Sequence, residues 1–385
     1  MTARGTILKA HARSAGTPRE TWIAGWFVPA LVALLPLACW PGLGRPFSGP
    51  KLWVIGGLDA LIVVQRFARH ASWRPIASWP WLVWLAAVSF SAITGPFLSP
   101  SAFLLLVLPL PLYLGGAGVG NAVCAGSAVE SAIALSQYFG HDPFRWIGWH
   151  AETFAGSRMQ VYGTLGNPNF VAAWLCATLP LCLGTTGRTR IALAVLQLAA
   201  IFSTGSRVFL VALPAGLVVT ALCAGRFNRR WLLALPVACA LLWVSPARTL
   251  VTTIHGRLYL ATVTATHLRE VPLAGYGPGS FELKFAGWQD AWLREHREDA
   301  RFAGPVDHAH DDYLEFWVEY GPLGLGAFLL LCGWLLVRAG RVRPPDGTLG
   351  ALAALVAIAC VDFPFHRPAE WALFAMLASL TRRTD

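Results

Sequence analysis

Residues 308–343 read HAHDDYLEFWVEYGPLGLGAFLLLCGWLLVRAGRVR, and this stretch decides the fold. Its centre, 313–337, is an apolar run long enough to cross a hydrocarbon layer about 30 Å thick. A polar mouth with two His and two Asp leads into it, and Arg338, Arg341 and Arg343 follow it. Cations gathered at one end of an apolar run mark a cytoplasmic flank. The stretch therefore reads as a transmembrane helix with its histidine end outside.

The rest of the chain repeats that pattern. Of 385 residues, 56% are hydrophobic and only 13% charged, with 18 Trp, and the mean hydropathy is +0.54. A soluble domain needs about 25% charged residues to solvate its surface, so a soluble enzyme and a disordered chain are excluded. The eight cysteines fall in apolar runs with no C-x-x-C pair, which leaves neither a disulfide framework nor a zinc site. The net charge of +10 does not indicate nucleic acid, because the cations sit in short clusters between apolar stretches.

Apolar spans are expected near 22–40, 51–66, 79–97, 101–117, 120–139, 167–184, 190–204, 207–224, 230–245, 313–337, 348–362 and 368–381. The run after Arg4, Lys9, Arg13 and Arg19 is too long for a signal-peptide core and reads as a retained first span. With both termini cytoplasmic, 17 Lys and Arg fall inside, six in short outside segments and seven in 246–312. The expected fold is an all-α polytopic membrane protein, a single domain over 1–385, with about 12 spans. Pro29, Pro36, Pro109, Pro111, Pro180, Pro214 and Pro236 inside spans predict kinked or broken helices. The segment 246–312 reads as a large outside loop between the ninth and tenth spans. Within it, Trp288, Trp292 and Leu293 among charged residues predict an amphipathic surface helix over 286–300.

Four polar constellations share the outside face. The first is Arg158 followed by Gly163-Thr164-Leu165-Gly166-Asn167-Pro168-Asn169, where Asn167 suits a helix N-cap and Pro168 the first helical position. A helix N-terminus near an Arg can take an anion. The second is Ser206-Arg207, whose Arg beside hydrocarbon is a functional residue or a snorkelling one. The third is Arg257, leading to Pro272-Leu273-Ala274-Gly275-Tyr276-Gly277-Pro278-Gly279-Ser280-Phe281; with no preceding strand and Pro278 interrupting it, this is no dinucleotide fingerprint. The fourth is His308-Ala309-His310-Asp311-Asp312-Tyr313-Leu314-Glu315. A binuclear metal pattern would want His where Tyr313 stands, while Asp312 with Glu315 reads as a capping box. The histidines suit proton transfer near neutrality. Arginines and helix dipoles suit a diphosphate leaving group, and a His suits deprotonating an attacking hydroxyl.

The segment 163–169, Ser206-Arg207, 272–281, and His310-Asp311 with Gly321 and Gly324 resemble the O-antigen ligase and polymerase family, as does Asp362-Phe363-Pro364. That resemblance implies a glycosyltransferase C-like helical fold with 246–312 as a periplasmic loop, in the bacterial inner membrane. It implies an undecaprenyl-diphosphate-linked glycan donor, and a glycolipid (lipid A-core), glycan or protein acceptor. It assigns His310 as general base and Arg207, Arg257 and Arg158 to the diphosphate. Asn167, Asn169, His308 and Asp311 join the substrate-binding set, and no metal or other cofactor is expected. Polymerase and protein O-oligosaccharyltransferase are the nearest alternatives to ligase. A transporter for the same lipid-linked glycan is the alternative from another class, although the repeat symmetry common in transporters is not evident. Single cysteines at Ser280 and Gly340, in a cysteine-free background, are expected to label from opposite sides of the membrane; labelling from one side would overturn the topology.

Overall fold

The computed structural model describes residues 27–68, 78–107, 119–149, 160–184, 187–223, 247–342 and 347–381. After a helical stretch at 27–34, the helices are α1 (Gly49–Ala68), α2 (Trp79–Thr94), α3 (Pro100–Val107), α4 (Val119–Tyr138), α5 (Pro168–Gly184), α6 (Gly187–Ser203) and α7 (Phe209–Cys223). Then come α8 (Ala247–His267), α9 (Phe281–Glu295), α10 (Asp312–Ala339), α11 (Thr348–Ile358) and α12 (Pro368–Leu380). No strand occurs among the described residues. Expected spans and observed helices coincide to within a few residues for α1, α2, α4 to α7, α10 and α12. The span at 230–245, residues 22–26 of the first and the later part of 101–117 lie outside the described residues, and the described part of the first is helical over 27–34 only. The span at 348–362 ends as a helix at Ile358.

Two of the described helices, α4 and α10, are long and apolar enough to cross a membrane; α2, α5, the Ile191–Ser203 part of α6, α7, α11 and α12 are shorter apolar helices. Helices apolar all round must be buried by protein or by lipid. α5 and α12 are buried by protein, with every residue from Val171 to Cys182 and from Pro368 to Leu380 inside. α5 packs on α4, α6, α7 and α11, and α10 packs on α2. Small residues permit the closest crossing: Gly216 of α7 faces Gly350 and Ala354 of α11, so backbones approach where a larger side chain would hold them apart. The outer surface keeps large apolar groups such as Trp53, Phe67, Ile93 and Ile191 exposed, as a lipid-facing surface requires.

The segment after α7 carries a core of its own. Tyr259, Leu260 and Val263 of α8 pack with Phe281, Phe285 and Trp288 of α9, and Ala309 and Val318 join this cluster from the mouth of α10. The amphipathic helix starts five residues earlier than the expected 286 and ends at Glu295, where a 3-10 turn over Arg297–Phe302 takes over. Its apolar stripe faces α8, so protein burial sets its register.

The glycine-rich segment 272–281 locks this cap to the bundle. Pro322 has no N–H to give Val318, and Gly321 takes φ 68°, ψ −178°, so α10 breaks there. The freed carbonyls find other donors: Tyr276 N–H bonds Val318 O at 3.0 Å and Gly277 N–H bonds Glu319 O at 2.9 Å. Ser91 Oγ of α2 also donates to Glu319 O, at 2.7 Å. Leu323 N–H, displaced from Glu319, reaches Leu273 O at 3.3 Å, and Phe97 N–H bonds Tyr276 O at 3.1 Å. A Cβ on Gly321 would strike Leu273 O, one on Gly275 would strike Glu319 O, and one on Gly277 would strike Phe97 O. The expected set of proline kinks did not include this one, which a Gly-Pro pair makes near the N-terminal end of the helix. Gly321→Ala should cost at least about 1–3 kcal/mol, since only glycine takes that backbone conformation readily. Thermal unfolding of detergent-purified protein checks this, and a melting temperature equal to wild type would count against the lock.

Candidate functional site

Asp311 N-caps α10: its Oδ1 accepts from Tyr313 N–H at 2.9 Å and Leu314 N–H at 3.1 Å. This corrects the expected capping box, which placed the cap at Asp312 with Glu315 closing it. Glu315 instead accepts from Ala309 N–H at 2.9 Å and from His308 Nδ1 at 2.7 Å. Asp312 accepts from Phe365 N–H at 2.9 Å and His366 Nδ1 at 2.5 Å. Each acid pins a different part of the mouth, which a sequence-local cap rule cannot anticipate.

His310 has φ 53° and is the one non-glycine with positive φ among the described residues, a conformation costing about 1–3 kcal/mol that persists where its surroundings over-determine it. The surroundings are explicit: Ala309 N–H is held by Glu315, Asp311 caps the next turn, and Asp312 N–H bonds Ala359 O at 2.9 Å. His310 is about one-third exposed, and its Nδ1 lies 3.4 Å from Asp362 Oδ1. A carboxylate only accepts, so this contact places the proton on Nδ1 and leaves Nε2 basic. The other Asp362 oxygen takes Arg367 Nη1 at 3.1 Å. Burial alone would raise the Asp362 pKa; Arg367, His310 and Arg257 outweigh it and hold the carboxyl below its ordinary 3.8.

Arg257, from the cap, reaches the same centre. Burial lowers its pKa, while its field couples it to Asp362 and, repulsively, to Arg207. Asn167 caps α5 by accepting Asn169 N–H at 2.9 Å, and Asn169 Oδ1 accepts from Ser206 Oγ at 2.7 Å, beside Arg207. Phe170 then packs edge-on against Phe363 at 5.5 Å. Phe363 is the common wall: His308 stacks on it at 4.1 Å and His310 meets its edge at 5.2 Å. Thus His308 and His310 meet Phe363, His310 meets Asp362, and Arg257 lies within the field of both Asp362 and Arg207. Arg158 lies outside the described residues.

The loop before α5 is tied from below. Thr164 donates through its N–H and its hydroxyl to the Glu130 carboxylate, while its carbonyl accepts from Lys51 Nζ at 2.8 Å. Gln137 Oε1 accepts Gly163 N–H at 2.8 Å. Reading the sequence alone left out Lys51, Glu130, His366, Arg367 and Glu319. An ionisable residue within an apolar run is itself a signal, and Lys51 and Glu130 carry it; His366 and Arg367 lie in a short connector and do not.

His308, Glu315 and His366 each offer a ligand atom within 4.8 Å of the others, a grouping that could hold a metal. A cationic imidazole already fits there. His366 donates from Nδ1 to Asp312 and lies with Nε2 3.4 Å from both Glu315 and Glu319. Burial opposes its charge, but the carboxylates of Glu315, Asp312 and Glu319 outweigh it and hold its pKa well above 6.5.

The described residues define an all-helical protein with apolar helices of membrane type, whose basic mouth carries a histidine on a carboxylate. Residues 192–329 match the family model described as O-antigen ligase, so the chain is similar to that family over this segment. The match takes in Arg207, Arg257, His308, His310, Asp311 and the Gly321 break. No curated protein matches the chain.

The His366 network carries a pH signature. A folded pKa above the ordinary one adds stability that is full below about 6.5 and is lost as pH rises through the folded value. His366→Gln should cost about 3–5 kcal/mol at neutral pH, and the gap to wild type should narrow on the alkaline side. Melting temperatures of both proteins from about pH 6 to pH 10 test this; parallel curves would contradict it.

Proposed function

We propose that the chain transfers a glycan from undecaprenyl diphosphate to a hydroxyl acceptor on the periplasmic face, as an O-antigen ligase with lipid A-core as acceptor. The observation that carries the reading is His310, held in a left-handed backbone with Nδ1 on Asp362, whose carboxylate also lies in the field of Arg257. His310 Nε2 takes the acceptor hydroxyl proton, and the oxygen attacks the anomeric carbon of the donor sugar. The bond from that carbon to the diphosphate oxygen breaks, and undecaprenyl diphosphate leaves with the electron pair. Arg207 and Arg257, with Arg158, bind the diphosphate and stabilise its growing charge. Asp362 orients the imidazole and stabilises the imidazolium that forms, and Arg367 keeps Asp362 ionised. Asn167 and Asn169 shape the donor side, while Asp311 and His308 shape the mouth.

The site sits in an arrangement of about 12 spans in the bacterial inner membrane, with both termini cytoplasmic and 246–312 as the periplasmic cap between the ninth and tenth spans. The whole of 1–385 forms one membrane domain. The imidazolium of His366 between three carboxylates supports a reaction without a metal, because it supplies the charge that a cation would. A polymerase or a protein O-oligosaccharyltransferase would use the same groups with another acceptor. A lipid-linked glycan transporter would use the arginines but not the strained histidine.

Purified protein, donor lipid and separate acceptors, read by product mass, decide among these. His310→Ala should bind donor but lose about 10² to 10⁴ in transfer. Asp362→Asn should lower transfer and shift its pH profile, since Nδ1 then loses its anionic partner. Arg207→Lys should stay impaired, because an ammonium lacks the planar fork that grips phosphate. Full transfer should survive exhaustive chelation. Near-normal transfer by folded His310→Ala would remove the base, and activity lost to chelator and restored by a divalent ion would move the chemistry to His308, Glu315 and His366.

A further inference from the structure

His308, Glu315 and His366 stand together beside the mouth, and the proposed transfer gives none of them a chemical step. Their three ligand atoms lie within 4.8 Å of one another. They come from three parts of the chain: the end of the cap, the first turn of α10 and the 364–366 turn before α12. Two imidazoles and one carboxylate are a donor set for zinc, whereas calcium and magnesium take oxygen ligands.

Each ligand is already oriented by a neighbour. His366 gives Nδ1 to Asp312 Oδ1 at 2.5 Å, which turns Nε2 toward Glu315 Oε1 at 3.4 Å. Asp312 is itself held by Phe365 N–H through its other oxygen. A carboxylate behind the imidazole is the arrangement that fixes the tautomer and ring of a metal-binding histidine. Glu315 spends Oε2 on Ala309 N–H at 2.9 Å, so Oε1 is left to face both rings. His308 stacks on Phe363 at 4.1 Å, with Nδ1 2.7 Å from that same Oε1.

The spacing suits a small tetrahedral ion. Bonds of about 2.0–2.2 Å at tetrahedral angles set neighbouring ligand atoms about 3.4 Å apart. The edge between His366 and Glu315 has that length. His308 must draw back from Glu315 by about 0.7 Å to match it, and a side chain 31% exposed has the freedom to do so. Glu315 and His366 are buried, so this exposed ring is also the way in for the ion. Charge agrees with geometry. A dication would set two positive charges, in place of the single one on the His366 imidazolium, among the carboxylates of Asp312, Glu315 and Glu319.

We propose that His308, Glu315 and His366 form a zinc site that clamps the end of the cap, α10 and the 364–366 turn to one another. On binding, the Nε2 proton of His366 leaves to solvent and the proton of His308 moves from Nδ1 to Nε2, so each ring presents a lone pair to the ion. Water fills the fourth position. The ion takes no part in glycan transfer, which rests on His310 and Asp362, and the binding does not depend on that reading.

The test is calorimetric titration of full-length, detergent-purified protein, stripped beforehand with chelator, with Zn²⁺ and separately with Mg²⁺. Zn²⁺ should bind at one ion per chain and raise the melting temperature, because a ligand of the folded state stabilises it. Mg²⁺ should bind about a hundredfold more weakly or not at all. His308→Gln removes the part-exposed ligand and leaves the buried acids in place; with its fold established by a cooperative melt of the stripped protein, it should lose about a hundredfold in Zn²⁺ affinity. Glu315→Gln should weaken Zn²⁺ likewise. His310→Ala should bind Zn²⁺ as wild type does whatever its transfer rate, which separates failure of this inference from failure of the transfer reading. If Zn²⁺ does not bind, if Mg²⁺ binds as tightly, or if folded His308→Gln keeps the wild-type affinity, the cluster is not a zinc site.

Discussion

The break in α10 at Gly321 and Pro322 is the constraint on which the cap and the mouth of the bundle depend. Val318, Glu319 and Gly321 are buried, so the two carbonyls released by the break must find protein donors. Val318 and Glu319 find them in Tyr276, Gly277 and Ser91. The same bonds that close the break therefore fasten the cap segment 272–281 and the end of α2 to the mouth of α10. Glycines are needed where these backbones cross, since a Cβ at 275, 277 or 321 would occupy a neighbour's carbonyl. The outcome is a cap whose own core of Phe281, Phe285 and Trp288 is placed over one end of the bundle through shared residues, Ala309 and Val318.

Above that anchor, four acids divide the work of shaping the mouth. Asp311 caps the helix, Glu315 holds Ala309 and His308, Asp312 ties α10 to the connector between α11 and α12, and Asp362 meets His310. Together they force His310 into its left-handed conformation. The local cost is met by hydrogen bonds on both sides, so the strain and the support that fixes it are parts of one arrangement. Phe363 completes it as an apolar floor on which both histidines rest.

Charge is organised in two layers. The upper layer is cationic and half-buried, with Arg257 near Asp362 and Arg207 near Arg257. The lower layer is buried and nearly compensated, with His366 among three carboxylates and Lys51 between carbonyls and Glu130. Arg367 belongs to both, bonded to Asp362 through Nη1 and with Nε 3.3 Å from Glu370. A site of this kind tolerates strong local fields because each buried charge has its partner within the same fold.

The apolar runs of this chain determined an all-helical fold with apolar helices of membrane type and, to within a few residues, most of the described helices. Hydropathy and charge flank are properties of contiguous residues, and they survive without tertiary information. The motifs around Asn167, Arg207, Arg257 and His310 were likewise readable, because each is short and stands at a helix mouth. Sequence could not decide which acid caps α10, since Asp311 and Asp312 are chemically alike and only the packing of α11 and the 364–366 turn draws Asp312 away. Nor could it find that Asp362 meets His310 across 52 residues, that Arg367 stands between Asp362 and Glu370, or that His310 takes a left-handed backbone. Those facts belong to the folded chain, because they arise where helices distant in sequence are pressed together and must satisfy one another's polar groups.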